Sequence, residues 1–204
     1  MTDAAVDDKP KVPPKLRATV GDREWRMDNL YKIRDKSGQM VTFLMNPTQR
    51  DYQQKKWYRN LILKSRQLGF TTYEAIDSLD DVLFTPNKDA LMIAHNLEAG
   101  ESIFDKKIKF AWEKLKEELR ALYGVDSKTT KTLKFDFGKE SKGVEKGFSS
   151  IAVDTSGRSG TYQRVHITEL AEISKKFPKK IVDIVEGTFP AVPTDGRIDI
   201  ESTS

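Results

Sequence analysis

Apolar residues along this chain gather in two recurring patterns, compact runs and longer stretches at helical spacing, and their alternation outlines the elements. Residues 60–64 (NLILK) form a compact run that stops at a glycine-containing loop, after which Ala75, Ile76, Leu79, Val82 and Leu83 recur at helical spacing over 71–84. This predicts strand, loop, helix. Residues 90–94 (ALMIA) are a second buried-strand candidate. A long helix follows, its Ile103, Phe104, Ile108, Ala111, Leu115, Leu119 and Leu122 forming one stripe closed by Gly124. Residues 132–137 (TLKFDF) and 149–153 (SSIAV) flank a Lys/Gly/Glu-rich turn, which predicts a hairpin or sheet edge. The apolar strand 165–167 ends at Thr168-Glu169, a helical segment covers 178–185, and 197–201 is the last strand. Upstream, a patchy alternation over 25–44 around Ser37-Gly38 reads as a short hairpin feeding the main domain. Repeated strand and helix predict an α/β fold, a mostly parallel sheet with helices on both faces, whose ligands sit at the carboxyl ends of the strands.

Composition narrows this picture. The 204 residues leave room for one large domain with an appendage; we read 1–40 as an N-terminal tail and short appended segment and 41–204 as the core domain. The first 17 residues or so, with three prolines among charged and small residues, bury too little apolar surface to order themselves. Hydrophobic residues are 37% and charged residues 32%, and 35 Lys+Arg against 31 Asp+Glu give a net charge of +4, which permits an anionic partner without announcing one. No cysteine is present, which removes disulfides, thiolate nucleophiles and cysteine-ligated zinc, and two histidines argue against a histidine-rich metal site. The longest apolar runs fall far below a membrane span and the N-terminus lacks a secretory pattern, so a cytoplasmic protein with no membrane partner is expected.

The chemistry concentrates in Lys64-Ser65-Arg66-Gln67-Leu68-Gly69-Phe70-Thr71-Thr72, between a strand and a helix. A phosphate-binding loop reads G-x-x-x-x-G-K-[ST]: backbone N–H groups curl around the phosphates, lysine offsets their charge and the hydroxyl holds magnesium. Here Gly69 and Thr71 fit, but Phe70 occupies the usual lysine position and Lys64 the opening glycine position. A lysine on the loop's first residue can fold its side chain back over the same phosphates. Taken alone, the segment is equally an ordinary strand-to-helix turn. Glu169, at the end of an apolar strand, stands where nucleotide hydrolases put the base that polarises water. Gln49, in Asn46-Pro47-Thr48-Gln49, could offer a donor and an acceptor to adenine.

With these residues in place, the chain resembles the large terminase subunits, the ATP-driven DNA-packaging motors of tailed double-stranded DNA viruses. The similarity lies in KSRQLGFTT (64–72), VHITELAEI (165–173), the Gln49 segment and RIDIESTS (197–204), in that order over about four fifths of the chain. It implies a P-loop NTPase fold of the RecA-like, ASCE type and a Mg2+-dependent ATP hydrolase. By resemblance, Gln49 contacts adenine, Lys64 and Arg66 the phosphates, the amides near Leu68 and Gly69 the β-phosphate, and Thr71 the Mg2+. The ATP-binding set is then Gln49 with Ser65, Gln67, Phe70, Thr72 and the other loop residues. Glu169 is the catalytic carboxylate, and Ser202-Thr203 couple hydrolysis to movement. Arg158, in a glycine-flanked stretch, is the arginine supplied to a neighbouring subunit in a homo-oligomeric ring, with Arg164 the second choice. Implied partners are double-stranded DNA, a portal and a small terminase subunit, and the implied location is the host cytoplasm. One departure matters: the family places an Asp before the catalytic Glu, and this chain has Thr168, with Asp154 a conceivable substitute. Two other readings stay open, a helicase-like or repair ATPase and a non-catalytic nucleic-acid-binding module.

Of the remaining candidates, His166 reads as a packed, hydrogen-bonded core residue and His95 as structural. Trp57 and Tyr58, beside Lys55, Lys56 and Arg59, read as a snorkelling surface cluster rather than a base-stacking patch.

Overall fold

A computed structural model describes residues 20–138, 147–157 and 160–203. The chain opens with α1 (Arg23–Asn29), whose first turn is capped by the Asp22 side chain, then β1 (Lys32–Arg34) and β2 (Met40–Thr42), an antiparallel hairpin that turns at Gly38 with φ 81°. Helix α2 (Pro47–Lys55) carries a capping box in which Asn46 and Gln49 each bond the other's backbone, with Pro47 in its first turn. Then follow β3 (Arg59–Lys64), α3 (Phe70–Phe84) and β4 (Asp89–Ile93). The helical stretch after β4 runs as α4 (Leu97–Ile103), a π-helical segment (Phe104–Lys109) and α5 (Phe110–Glu113), with a separate α6 (Glu117–Arg120). Strands β5 (Gly124–Lys128), β6 (Thr132–Asp136), β7 (Phe148–Asp154) and β8 (Arg164–Ile167) come next. Helices α7 (Leu170–Lys176) and α8 (Pro178–Asp183) precede the final strand, β9 (Arg197–Thr203).

Seven strands form one sheet in the order β3-β9-β8-β4-β7-β6-β5. The five from β3 to β7 are parallel, and β6 and β5 are appended antiparallel. Because side chains alternate across a strand, β4 shows how both faces are covered. Ala90 and Met92 belong to one core with Ile76, Leu79, Val82, Leu83, Phe104 and Phe135, whereas Leu91 and Ile93 belong to a second core with Val165, Ile167, Ile173, Ile184 and Ile198. Helix α3 lies on the first face and α7 and α8 on the second, as the apolar runs predict.

Three differences have physical reasons. The long helix expected after ALMIA is interrupted, since the π segment adds a residue to a turn and the chain breaks after Glu113, so Ile103, Ile108 and Leu115 are buried while Leu122 is only partly so. Gly124 begins β5 rather than merely ending a helix. The described part of the segment expected as an appendage before residue 41 is drawn into the main core: Met27 and Tyr31 are wholly buried there.

Helix α3 is buried nearly all round, including its acidic residues. On β8 and β9 the alternation turns Arg164, His166, Asp199 and Glu201 toward it, and all four are buried. Arg164 donates to Glu74 at 2.6 Å, Asp77 at 2.7 Å and Asp81 at 2.8 Å. Asp77 also accepts from Lys56 and Arg197, and Arg23 bonds both Asp77 and Asp81. Burial alone would raise the Asp77 carboxyl, but Arg164, Arg23, Lys56 and Arg197 together hold it well below the carboxylate range. Arg164, the second-choice trans-acting arginine, is therefore spent inside the domain at 2% exposure and presents nothing to a neighbour.

Candidate nucleotide site at the carboxyl edge

Parallel pairing decides which residues meet at the carboxyl edge. In the β3–β9 register Lys64 stands beside Thr203, and β8 ends on the other side of β9, so the residues after β8 face the loop after β3. The Lys64 ammonium, its side chain 7% exposed, lies 3.4 Å from Glu169 Oε1. Glu169 Oε2 accepts from the Thr203 hydroxyl at 2.7 Å and the Thr203 amide at 3.4 Å. Ser202 Oγ accepts from the Ala171 amide at 3.1 Å, tying β9 to the first turn of α7. Lys64, Glu169, Ser202 and Thr203, picked from three distant segments, thus share one corner.

Glu169 is held in an unusual backbone state, φ 53°, as the residue that starts α7. For a side chain with a Cβ that costs about 1–2 kcal/mol, and it turns the carboxylate back toward β9 and Lys64. Partial burial would raise its carboxyl, but the Thr203 hydrogen bonds and the Lys64 ammonium outweigh burial and keep it below the ordinary value. Glu169 is an ionised carboxylate at neutral pH.

The loop from Ser65 to Gly69 turns through left-handed residues at Gln67 (φ 67°) and Gly69 (φ 72°). Gly69 has a second constraint, since a Cβ there would stand 3.0 Å from the Gln49 amide nitrogen. No side chain caps α3, so its leading N–H groups are left for another acceptor, and a 15-residue helix brings its dipole to the same point. Ser65 and Arg66 are exposed beside the loop, Leu68 packs partly on the core, and Gln67 accepts from Lys36 at 2.8 Å. Phe70, at the usual lysine position, is buried against Tyr52 and Tyr73, so the core claims that position. Thr71 Oγ1 donates to Glu201 Oε1, and Thr72 Oγ1 accepts from Lys107 at 2.6 Å.

Gln49 is placed beside the loop but faces its backbone. Its Nε2 donates to the carbonyls of Leu68 at 3.2 Å and Gly69 at 3.1 Å, and its Oε1 accepts from the Asn46 amide. At 3% exposure, Gln49 fastens the loop to α2. Asp154 is level with Ile167 but two strands away across β4, about 10 Å at ~4.8 Å per strand, and caps the Thr155 amide. Arg158 lies outside the described residues. His166 is buried as expected, yet both ring nitrogens lack a hydrogen-bond partner, with Glu74 and Glu201 oxygens 3.9 Å away on either side.

Sequence reasoning missed Glu201, Lys107 and Lys36. Glu201 sits directly before Ser202 and shares the acidic face of the β9 alternation with Asp199, a signal that was available; Lys107 is one of several lysines on a charged helix, and nothing in the pattern separates it.

A seven-stranded, mostly parallel sheet with helices on both faces and a glycine loop between its edge strand and a buried helix is an α/β fold of the RecA-like type. Among solved structures it is similar to the large terminase ATPase domain of Thermus phage P74-26, with a TM-score of 0.63, 16% identity, and 78% of this chain and 65% of that one covered. A single-residue variant of that domain matches with the same TM-score, 0.63. A looser match, TM-score 0.37 and 10% identity, is the Phi-28 gp11 DNA packaging motor. This chain therefore spans about two thirds (65%) of the length of the Thermus phage domain. Scans against family models and curated proteins find no match. Among the described residues no helix is long and apolar enough to cross a membrane.

Proposed function

We propose that this chain is the ATPase motor domain of a viral large terminase subunit, which hydrolyses ATP to drive double-stranded DNA into a procapsid. One observation carries the reading: Lys64, Glu169 and Thr203 converge at the carboxyl edge of adjacent parallel strands, within hydrogen-bonding or ion-pair distance, beside an uncapped helix N-terminus. The shared fold supports it.

The residues present fit a Mg2+–nucleotide. The α3 N–H groups and the Lys64 ammonium suit phosphate oxygens, Thr71 offers a hydroxyl, and a buried Glu201 oxygen without a partner stands next to that hydroxyl. Mg2+ would neutralise the charge building on the phosphoryl group, with Thr71 as its protein ligand. The protein's own part is positional. Phosphate oxygens compete with Glu169 for Lys64, and Glu169, once relieved of that cation, keeps its Thr203 bond and accepts a proton from water. A change in the Glu169 partners is then felt directly by Thr203 and Ser202 on β9, which gives the coupling role its physical route. Arg66, exposed at the loop, is a second phosphate cation, and Arg158 is the arginine offered to the neighbouring subunit of a ring. Portal, small terminase subunit and duplex DNA are the partners, and the host cytoplasm is the place of work.

The test is ATP binding and turnover with Mg2+ and DNA, in the wild type and in Lys64→Ala. Turnover that falls by about 10²–10³-fold in the variant supports the reading. A folded wild type that neither binds nor hydrolyses ATP overturns it and favours a non-catalytic module. Arg158→Ala should lower turnover only in the assembled state.

A further inference from the structure

The strand that ends in Glu169 has Thr168 where an acidic residue is expected, so a carboxylate facing the Thr71 hydroxyl is missing from its usual strand. The neighbouring strand supplies one. Ile200 pairs with Ile167 in the β8–β9 register, which puts Glu201 level with Thr168, one strand spacing (about 4.8 Å) away. Glu201 is 0% exposed, its Oε1 accepts from Thr71 Oγ1, and its Oε2 has no hydrogen-bond partner. A buried carboxylate with an unpartnered oxygen is costly, and its charged neighbours leave that oxygen unbonded: the nearest His166 nitrogen stands 3.9 Å off, too far to bond, and Lys107, whose charge acts on Glu201, donates to Thr72. By contrast Asp77, two turns along the same helix, is fully surrounded by cations.

We propose that Glu201 is the acidic residue of the divalent-cation site, replacing from β9 the carboxylate that β8 lacks. It acts in two ways. Its Oε1 accepts the Thr71 hydroxyl's hydrogen bond, leaving that oxygen's lone pairs free for a cation, and its Oε2 would accept from the cation's water shell. Since β9 also carries Ser202 and Thr203, one strand holds both the cation-side carboxylate and the partners of Glu169, so cation and base are set by the same backbone. This inference rests on the proposed nucleotide site and deepens it.

Binding of a fluorescent, nonhydrolysable ATP analogue, titrated with and without Mg2+ and then with Mn2+, tests it on the full chain. In the wild type, Mg2+ tightens binding. In Glu201→Gln the cation-free affinity stays within about twofold while the tightening by Mg2+ is lost, and Thr168→Asp added to Glu201→Gln restores it. Glu201→Asp, which keeps the charge but withdraws it by one methylene, also loses the tightening, and it serves as the variant should Glu201→Gln fail to melt cooperatively. Undiminished Mg2+ enhancement in either folded single variant, or no rescue by Thr168→Asp, overturns the inference while leaving the nucleotide site intact. A wild type that binds no nucleotide, with or without cation, overturns the proposed function and this inference with it.

Discussion

Helix α3 passes through two environments. Its first turn, at the carboxyl edge, meets Lys64 and Glu201, whose polar atoms are loosely or incompletely partnered, the Lys64–Glu169 pair at 3.4 Å. Its later turns meet Arg164, Arg197, Arg23 and Lys56, which clasp Asp77 and Asp81 with contacts of 2.5–2.8 Å. Both ends are charged and both lie against β8 and β9. The difference is in how many cations each carboxylate meets: Asp77 and Asp81 are each held by several, although Glu74 Oε1 and Arg164 Nε nearby lack a partner, while at the edge Glu169 has the single, longer pair with Lys64 and Glu201 Oε2 is unpartnered.

The comparison breaks most sharply at Arg164. Arg164→Ala takes the hydrogen-bond donor from buried Glu74 and one cation each from Asp77 and Asp81, and should cost about 3–5 kcal/mol, read by chemical denaturation; a loss under ~1 kcal/mol would mean that the network is not what fixes α3. At the other end the sign of the trade reverses. Glu169→Gln should lower ATP turnover by about 10²–10⁴-fold while changing stability by less than ~1 kcal/mol, because its ion pair is partly solvated. Parallel turnover and melting curves decide it, and equal damage to both would erase the distinction between edge and interior. Gly69→Ala, forced into a left-handed backbone and against Gln49, should lose about 1–2 kcal/mol and weaken nucleotide binding, whereas Gly38→Ala, with no atom within 4 Å of its Cβ, pays only the backbone term.

The smallest effect is a pH dependence. Burial, more than the Glu201, Asp199, Arg164 and Arg197 charges around it, depresses the His166 pKa from 6.5. Neutral His166 is favoured in the fold, so its contribution is complete above pH 6.5 and is lost as pH falls through the depressed value, with a slope of at most about 1.4 kcal/mol per pH unit. Wild type minus His166→Gln, measured by denaturation from pH 7.5 to 5, should show that loss in the wild type; a difference flat with pH would contradict a buried neutral imidazole.

Much of this frame was legible in the chain. The runs NLILK, ALMIA, TLKFDF, SSIAV and VHI each became a strand: ALMIA and VHI are buried on both faces, while the others bury one face, and short apolar β-type runs bounded by loops leave few alternatives. Lys64, Glu169 and the Ser202-Thr203 pair were visible as residue types at strand ends, and Thr71 at the start of a helix; parallel pairing brought the strand ends to one edge. The inner network was not legible. Glu74, Asp77 and Asp81 look like a wet helix face until Arg164 and Arg197, some 90–120 residues on, are known to lie opposite, and only the sheet order tells which strands α3 covers. Gln49 illustrates the same gap: its side chain was recognisable as a donor and acceptor, but its partners, the Leu68 and Gly69 carbonyls, depend on where α2 docks. The interruption of the long helix by a π segment had no periodic signature at all.

The Lys64 ammonium has two possible partners once phosphate arrives, Glu169 or the phosphate oxygens. A crystal structure with a nonhydrolysable ATP analogue and Mg2+ tests this most directly. It should show Lys64 Nζ withdrawn from Glu169 and bonded to phosphate oxygens over the α3 N-terminus, with the Glu169–Thr203 bond retained. Phosphates seated elsewhere, with the Lys64–Glu169 pair still closed, would contradict it.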